Sequence, residues 1–360
     1  MITFSEIGAA DRDHYDDCVT RLPGPDFRQT YGWGEVREAD GWVPRRFIAT
    51  RDGVAVGCAQ VLIGSLPHLP FRLIQVPAGP LIDYHSPETV RAFADLLRRL
   101  GQEHRAVLAR IEPQVLAGDE VAELNMAQAG LARSDLAWSF WNAPLEVLRI
   151  DLRGSEEESL SRLHPTQRRN TRRFGTRGNL IETTDDPEDF WQLHRLLQGL
   201  GARKGFMVRG RSYWQALWDQ FMSRGRAVLL AAKRGGVPLA YMLNVYCGRT
   251  AFFLHGADAP ESRSERPNDA LYWASIREAR RAGCSVFDLM GYVSDSHRRF
   301  KQSFGAELVR LTGYYELPVR PLPYRLFASM EKHILPRVVP CVARLGGRRS
   351  AEVPRDDGAG

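Results

Sequence analysis

The alternation of hydrophobic and polar residues follows one order of elements in both halves of the chain. In the first half, apolar and polar residues alternate on both sides of the turn Arg51-Asp52-Gly53, which predicts a β-hairpin. Helical spacing of apolar residues between two later apolar runs predicts a helix flanked by strands. The predicted elements are an opening helix, strands Trp42 to Ile48, Ala55 to Ile63 and Phe71 to Val76, helix Pro87 to Leu100 and strand Ala106 to Ile111.

The second half repeats this order around the turn Arg234-Gly235-Gly236. Its predicted elements are helices Pro187 to Leu200 and Ser212 to Arg224, strands Ala227 to Lys233, Leu239 to Cys247 and Ala251 to His255, helix Asn268 to Ala282 and strand Ser285 to Leu289. A strand, a helix and a returning strand indicate a parallel crossover within a mixed sheet. We therefore expect an α/β fold of two similar units, covering residues 1–150 and 151–318 and joined near residues 143–153.

The join carries a strongly basic helix. Val147 to Leu152 predicts a strand, and Ser155 with Glu158 predicts a capping box at the start of the next helix. That helix carries a group of arginines that are candidates for binding the phosphates of a nucleic acid or another phosphorylated partner: Arg168, Arg169, Arg172 and Arg173, with Arg177 one turn later. A solvated basic face is the alternative, and the sequence leaves both open.

The segment after Pro318 differs in character from the two units. Residues 319–345 form a basic amphipathic segment that begins with Pro321-Leu322-Pro323 and carries Arg325, Lys332, Arg337 and Arg344. Such a segment lies on a membrane surface or packs on the second unit, and packing is the commoner case. Residues 346–360 predict a disordered tail.

Composition narrows the class of protein. The 360 residues carry a net charge of +6 and 44% hydrophobic residues, which is typical of folded domains with anionic partners. The five cysteines are scattered, so neither disulfides nor a zinc site is indicated. The mixed, acidic N-terminal sequence and the lack of a long apolar run predict neither a signal peptide nor a membrane span. We expect a cytoplasmic protein.

Familiar catalytic motifs are missing, and polar residues cluster at predicted element ends instead. The sequence contains no GxSxG, Walker A, HExxH or GxGxxG motif, so we predict neither a cofactor nor a metal site. Arg209 and Tyr213 are four residues apart near a helix start, and His255 lies at the end of a strand. Asn268 is a natural helix N-cap. Ends of strands and starts of helices are where α/β sheets usually bind ligands.

One lysine stands out in an arginine-rich chain. Only four of the 49 basic residues are lysines, and Lys301 lies in the segment Arg298-Arg299-Phe300-Lys301-Gln302. A compact ammonium and a planar guanidinium are not equivalent, so a retained lysine suggests a specific role. A leftover surface lysine is the alternative.

Several of these residues fall into motifs whose order resembles that of the FemABX family. The motifs span residues 25–316 and are Gln29-x-x-x-Trp33-Gly34-x-x-Arg37, Gly79-Pro80-x-x-Asp83, Arg209-x-x-x-Tyr213, Pro267-Asn268-x-x-Leu271-x-Trp273, Phe287-Asp288-Leu289-x-Gly291 and Arg299-Phe300-Lys301-x-x-Phe304-Gly305. Members of this family transfer amino acids from aminoacyl-tRNA to peptidoglycan stem peptides. The resemblance implies two tandem GNAT-like (acyl-CoA N-acyltransferase-like) domains, here without the coiled-coil arm of some members.

The resemblance also implies roles for single residues. Arg37 and Arg209 match positions that bind the diphosphate of a nucleotide- or lipid-linked muropeptide, with Tyr213, His255 and Asn268 in the same groove. Phe300 matches a residue that stacks on the terminal adenosine of the tRNA. Lys301 would steady charge developing on the ester, and Asp83 is a further candidate for helping proton transfer.

Positions that depart from the family pattern bear on the identity of the acceptor more than on the type of reaction. Arg37 replaces a common lysine, and His255 replaces a common tyrosine. The acceptor is thus a muropeptide or another small amine, such as a natural product. An acyl-CoA-dependent N-acyltransferase is the alternative donor class, although the usual pyrophosphate-binding loop is missing. Peripheral contact with the inner face of a membrane is a further expectation.

Overall fold

The computed structural model describes residues 1–65, 70–134 and 145–334. The strands in this part of the chain are β1 (Ile2–Glu6), β2 (Val43–Arg51), β3 (Val54–Ser65), β4 (Arg72–Val76), β5 (Leu108–Ile111), β6 (Ala132–Arg133), β7 (Glu146–Asp151), β8 (Asn179–Thr184), β9 (Ala227–Arg234), β10 (Val237–Cys247), β11 (Thr250–Asp258), β12 (Val286–Asp288), β13 (Glu307–Arg310) and β14 (Tyr315–Pro318). The helices are α1 (Arg12–Arg21), α2 (Tyr31–Glu38), α3 (Pro87–Glu103), α4 (Glu120–Gln128), α5 (Glu156–Arg162), α6 (Pro165–Thr176), α7 (Pro187–Lys204), α8 (Arg211–Leu217), α9 (Pro267–Arg281), α10 (Asp295–Gln302) and α11 (Pro321–His333). None of these helices is both long and apolar enough to cross a membrane.

The two units have the same sheet topology. The first sheet has the order β1-β2-β3-β4-β5-β14-β6, and the second has the order β8-β9-β10-β11-β12-β7-β13. Each sheet pairs its strands antiparallel except for one parallel pair, β4 with β5 and β11 with β12. The strands therefore correspond one to one, and the predicted duplication with mixed sheets is confirmed.

The sixth strand of each sheet is exchanged between the units. β7 follows β6 of the first unit directly but lies between β12 and β13 of the second sheet. β14 follows β13 of the second unit but lies between β5 and β6 of the first sheet. Their apolar residues fill the matching cores: Leu148 and Ile150 in the second unit, Tyr315 and Leu317 in the first. Each sheet is thus completed by a strand that comes after the other unit in the sequence.

This exchange corrects the predicted domain boundaries. A boundary at residue 150 cuts through β7, which belongs wholly to the second sheet. A second unit ending at residue 318 wrongly includes β14, which belongs to the first sheet. The opening element is also different, because β1 precedes α1 and pairs with β2.

The helices agree with prediction except at two breaks. The capping box of Ser155 and Glu158 is present at the start of α5, as predicted. The basic helix is separate from α5, because Pro165 begins α6 after an extended Leu163. The predicted helix Ser212 to Arg224 changes after Leu217 into a π-helical turn, Trp218–Met222. The longest described helix, α7, has 18 residues, so no long arm extends from the described part of the second unit.

The C-terminal helix packs on the first unit, which corrects the predicted packing on the second. Phe327 of α11 is fully buried against Leu73 and Leu108. Arg110 of β5 donates to Glu316 of β14 at 2.9 Å and to Glu331 of α11 at 2.8 Å, and all three are buried. One buried cation therefore joins β5, the exchanged strand and α11. Residues 335–345 of the predicted amphipathic segment, and the predicted tail 346–360, lie outside the described residues.

The two units meet through an aromatic core. Phe27 of the first unit packs against Phe221 and Phe252 of the second, with ring centroids 6.3 Å and 5.1 Å away. Arg226 and Asp16 form an ion pair across the same junction. Large buried aromatic contacts of this kind fix the relative position of packed elements.

We predict that Arg110→Met destabilises the protein by about 3–5 kcal/mol, because two buried carboxylates lose their shared cation. Denaturant unfolding measures this loss. Arg99→Met is the matched control, since Arg99 is exposed on α3 and forms no ion pair with any described residue. Equal stability of the two variants would contradict a structural role for the Arg110 cluster.

Candidate functional site

Two arginines from different units converge on one carboxylate at the junction. Arg37 lies in the last turn of α2, and Arg209 lies just before α8. Nη1 of Arg37 is 2.8 Å from Oδ2 of Asp40, and Nη1 of Arg209 is 2.7 Å from the same oxygen. We call these three residues the arginine clasp. A single carboxylate thus holds two guanidinium groups that lie far apart along the chain.

The arginine clasp has an excess of positive charge. Arg37 is buried, whereas Arg209 is partly exposed to solvent. Burial, and then repulsion from Arg209, lowers the pKa of Arg37 to about 10, so Arg37 stays charged at neutral pH. Two cations against one anion leave a site that favours a further anion, and paired guanidinium groups suit phosphate oxygens.

Aromatic rings support the clasp. The guanidinium of Arg37 lies 5.6 Å from the Trp42 ring centroid, and that of Arg209 lies 5.6 Å from the Tyr213 ring centroid. Burial raises the pKa of Tyr213 to about 12, so its hydroxyl is neutral and is able to donate a hydrogen bond. Cation–π contacts hold each guanidinium group independently of Asp40.

His255 joins this group as a neutral ring. Its centroid lies 6.3 Å from that of Tyr213, and its Nε2 is buried without a hydrogen-bond partner among the described residues. Burial, and then repulsion from Arg209, lowers the pKa of His255 to about 4. The structure therefore brings four predicted residues together: Arg37, Arg209, Tyr213 and His255.

The predicted helix cap at Asn268 is wrong. The N-cap of α9 is Arg266, in a left-handed conformation at φ 55°, and Asn268 is the second residue of the helix. The carboxylate of Asp269 accepts from Arg266 at 2.6 Å and from Asn170 at 2.8 Å. Since Pro267 lacks an N–H, this helix start offers one donor fewer to the pyrophosphate of an acyl-CoA.

Lys301 is not the free ammonium that the sequence suggested. Its side chain is buried in the second unit, with 1% of the residue exposed. Nζ donates to the carbonyl oxygens of Leu289 at 2.5 Å and Gly291 at 2.6 Å, so two of its three donors are used. Burial lowers the pKa of Lys301 to about 8, against the attraction of Asp288.

Phe300 and Asp83 have different surroundings. The Phe300 ring is half-buried and meets Tyr272 and Phe304 edge-on, each at 5.3 Å between centroids. Asp83 is exposed and accepts the backbone N–H of His85 at 2.9 Å, which closes the turn before α3. Asp83 thus forms a turn, and no hydrogen bond or ion pair among the described residues joins it to the arginine clasp.

Glu112 is a buried acid that the sequence analysis missed. It follows β5 directly, and its Oε2 accepts the backbone N–H of Ala78 at 3.2 Å. Burial and Arg209 lower the pKa of Arg37, and Glu112 opposes them only after Asp40 and Tyr213. At Arg28, burial lowers the pKa, and Asp26 and then Glu112 raise it. The signal in the sequence was its position at the carboxyl end of a predicted parallel strand.

The arginines of α6 form a basic surface of the second unit. Arg169, Arg172 and Arg173 are exposed, and Arg168 is half-exposed. None of the four forms an ion pair with a described residue, whereas Arg177 pairs with Glu265 at 3.1 Å. Ion pairs with described acidic residues therefore do not neutralise the positive charge of these four arginines. This favours binding of phosphates at this surface over a face whose charge is already balanced.

Both halves of the chain are similar to known protein families. A model of the FemAB family matches residues 11–130, and a model of the acetyltransferase (GNAT) domain matches residues 161–302. The lipid II:glycine glycyltransferase of Staphylococcus aureus is 21% identical to this chain, over 89% of this chain and 94% of that protein. A crystal structure of FemX superposes with a TM-score of 0.82 at 20% identity, over 91% of this chain and 100% of that one.

Both halves of the chain are similar to proteins of the FemABX family. A tandem GNAT protein from the clavulanic acid biosynthesis pathway shares the fold more distantly, with a TM-score of 0.53 at 14% identity over 89% of this chain and 99% of that one. The predicted FemABX resemblance and the tandem GNAT-like fold are both confirmed. Gln29 of the first motif is structural, since its amide accepts from the Gln60 N–H at 2.8 Å and donates to the Pro77 carbonyl at 2.6 Å.

We predict that Asp40→Asn raises the affinity for inorganic pyrophosphate about tenfold at low salt, because the ligand no longer competes with a carboxylate. The aromatic supports and the amide oxygen introduced at position 40 keep the two guanidinium groups in place. Calorimetric titration measures the affinity. Glu38→Gln is the matched control, because Glu38 is the exposed last residue of α2, two residues before Asp40, and forms no ion pair with a described residue. Arg209→Gln should weaken binding, and equal affinities in all variants would contradict an anion site at the clasp.

Proposed function

We propose that the protein is an aminoacyltransferase that moves an amino acid from aminoacyl-tRNA to an amine of a peptidoglycan precursor stem peptide. The observation that carries this proposal is the arginine clasp, where each unit supplies one guanidinium group to a common point. A nucleotide- or lipid-linked muropeptide carries a diphosphate, which matches two converging guanidinium groups. The relative named lipid II:glycine glycyltransferase supports an acceptor of this class.

The proposed reaction is aminolysis of an ester. The acceptor amine attacks the ester carbonyl, a C–N bond forms, and the C–O bond to the tRNA ribose breaks. The amine loses a proton and the ribose oxygen gains one, so no redox partner is needed. Phe300 is assigned to stacking on the terminal adenosine, since its ring is partly exposed. The third N–H of Lys301 is assigned to the ester oxygen.

The acyl-CoA alternative has less support. The start of α9 has Pro267, which lacks a backbone N–H, as its first residue and so offers an anionic pyrophosphate one donor fewer. A small soluble amine as acceptor would make little use of the clasp. A lipid-linked acceptor is held at a membrane, so peripheral contact with its inner face is part of the proposal.

The decisive experiment follows label from aminoacyl-tRNA to acceptor. We expect transfer of a labelled amino acid to a muropeptide with a diphosphate, and much slower transfer to the same peptide without it. A screen of aminoacyl-tRNAs gives the donor. Transfer from acyl-CoA with none from any aminoacyl-tRNA would overturn the proposal.

We predict that the joint change of Arg168, Arg169, Arg172 and Arg173 to Gln reduces the salt dependence of tRNA binding. Losing four phosphate contacts should lower the log–log slope by about 3. Binding at a series of salt concentrations measures the slope. Arg91→Gln with Arg99→Gln, exposed positions on α3, is the control and should keep the wild-type slope. An unchanged slope in the α6 variant would remove this surface from the tRNA site.

We predict that the wild-type transfer rate falls, relative to Lys301→Arg, as pH rises through about 8. The folded-state pKa of Lys301 is below its ordinary value, so the ammonium is present below that pH and lost above it, whereas arginine stays charged. Single-turnover rates measure the ratio of the wild-type rate to the Lys301→Arg rate at each pH. Protonation of the acceptor amine affects both rates equally and cancels in this ratio. Lys301→Met, which removes the charge at similar length, should be slow at every pH; a wild-type rate in this folded variant would contradict the role.

A further inference from the structure

The outward face of α11 is apolar although the helix already packs on the first unit. Phe327 and Glu331 face inward and are buried. On the opposite side, Leu322 and Leu326 are 78% and 63% exposed. Positions 322 and 326 are one turn apart, so these two side chains share a face. A helix with apolar residues on both faces keeps an exposed apolar surface after one face has packed on its own unit.

Three arginines surround the start of this helix. The backbone N–H of Val107 donates to the Arg72 carbonyl at 2.8 Å, and the Val107 carbonyl accepts from Val319 and Arg320 at 3.0 Å and 3.2 Å. Arg105 precedes Val107 by two residues, so Arg72, Arg105 and Arg320 come from three elements to one place. They line a depression of about 600 Å³. All three are exposed, and none forms an ion pair with a described residue.

The depression and the apolar face form one surface. Pro323 lines the depression and belongs to the first turn of α11. Phe71 also lines it and packs on Phe327 with ring centroids 5.6 Å apart. Arg325 and Lys332 are exposed on the same helix. We call this surface, with Leu322, Leu326 and the three arginines, the α11 surface.

We propose that the α11 surface binds an anionic membrane. The aliphatic side chains enter the interfacial region, and Arg72, Arg105 and Arg320 contact lipid phosphates, as in amphipathic helices with flanking cations. This inference concerns a surface separate from the arginine clasp and does not depend on the reaction catalysed there.

Charge and chemistry favour a membrane over two other occupants. RNA would use the arginines but gains nothing from exposed leucines, because its contacts need phosphates and stacked bases. A second copy of this chain would cover the leucines but would bring two sets of arginines together. The sequence after Ile334 adds Arg337, Arg344, Arg348 and Arg349 before the next acid, Glu352, so it does not neutralise this charge.

The test is co-sedimentation of the full chain with vesicles, without tRNA or acceptor. We expect binding to vesicles of phosphatidylcholine with phosphatidylglycerol, weakened by salt, and little binding to phosphatidylcholine alone. Arg72→Gln, Arg105→Gln and Arg320→Gln together should reduce affinity about a hundredfold, at about fivefold for each arginine. Leu322→Ser with Leu326→Ser should also weaken binding, with less change in its salt dependence.

Controls use exposed residues elsewhere, so that loss of folding or general charge is not mistaken for loss of the surface. Arg91→Gln, Arg99→Gln and Arg203→Gln together match the change in charge, and Leu116→Ser with Leu180→Ser matches the loss of exposed leucines. Both controls should bind like the wild type. Unchanged vesicle binding in both α11 variants would overturn the proposal. So would a dimer that the leucine changes dissolve, or RNA binding that the arginine changes abolish while vesicle binding persists.

Discussion

The reciprocal exchange of β7 and β14 is the constraint on which the geometry of the junction depends. Each strand lies inside the other unit's sheet, flanked on both sides by hydrogen-bonded neighbours. Separating the units would therefore break ladders in both sheets and expose apolar residues of both cores. This tie, with the aromatic contacts of Phe27, holds α2 and the start of α8 together. Arg37 and Arg209 reach one oxygen of Asp40 because neither unit is free to turn against the other.

Sequence patterns identified the elements but not the exchange. Hairpins such as β9–β10 and helices such as α9 are local, so alternation, helical spacing and turn residues were enough to predict them. The two sheets have the same strand order, so the sequence pattern alone does not assign the short strand Tyr315–Pro318 to either of them. Its choice depends on distant partners, above all Arg110, whose carboxylate partners are about 200 residues away. No local pattern encodes that choice.

Sequence reasoning named four residues that the structure brings together, but it did not give the geometry that joins them. Arg37 and Arg209 came from motif positions, but Asp40, in a short turn after α2, gave no signal of binding both. Lys301 follows Arg298, Arg299 and Phe300, and a charged run of this kind is typical of an exposed helix. The structure turns Lys301 inward because the carbonyls of Leu289 and Gly291 offer it acceptors. Burial of a charge depends on such partners, which sequence spacing does not reveal.

The two sheets differ in the charged groups near the ends of their parallel strand pairs. In the first unit the parallel pair ends at Val76 and Ile111, and Glu112 follows it, bonded to the backbone of Ala78. In the second unit the parallel pair ends at Phe252 and Asp288, and the Lys301 ammonium lies 5.3 Å from the ring of the next residue, Phe253. The second unit thus adds a cation near the acid Asp288, whose attraction opposes the lowering of the Lys301 pKa by burial. An ester oxygen that becomes negative during transfer is stabilised beside an ammonium and not beside a carboxylate. We therefore assign the proposed reaction to the second unit and the holding of the acceptor to Arg37 of the first.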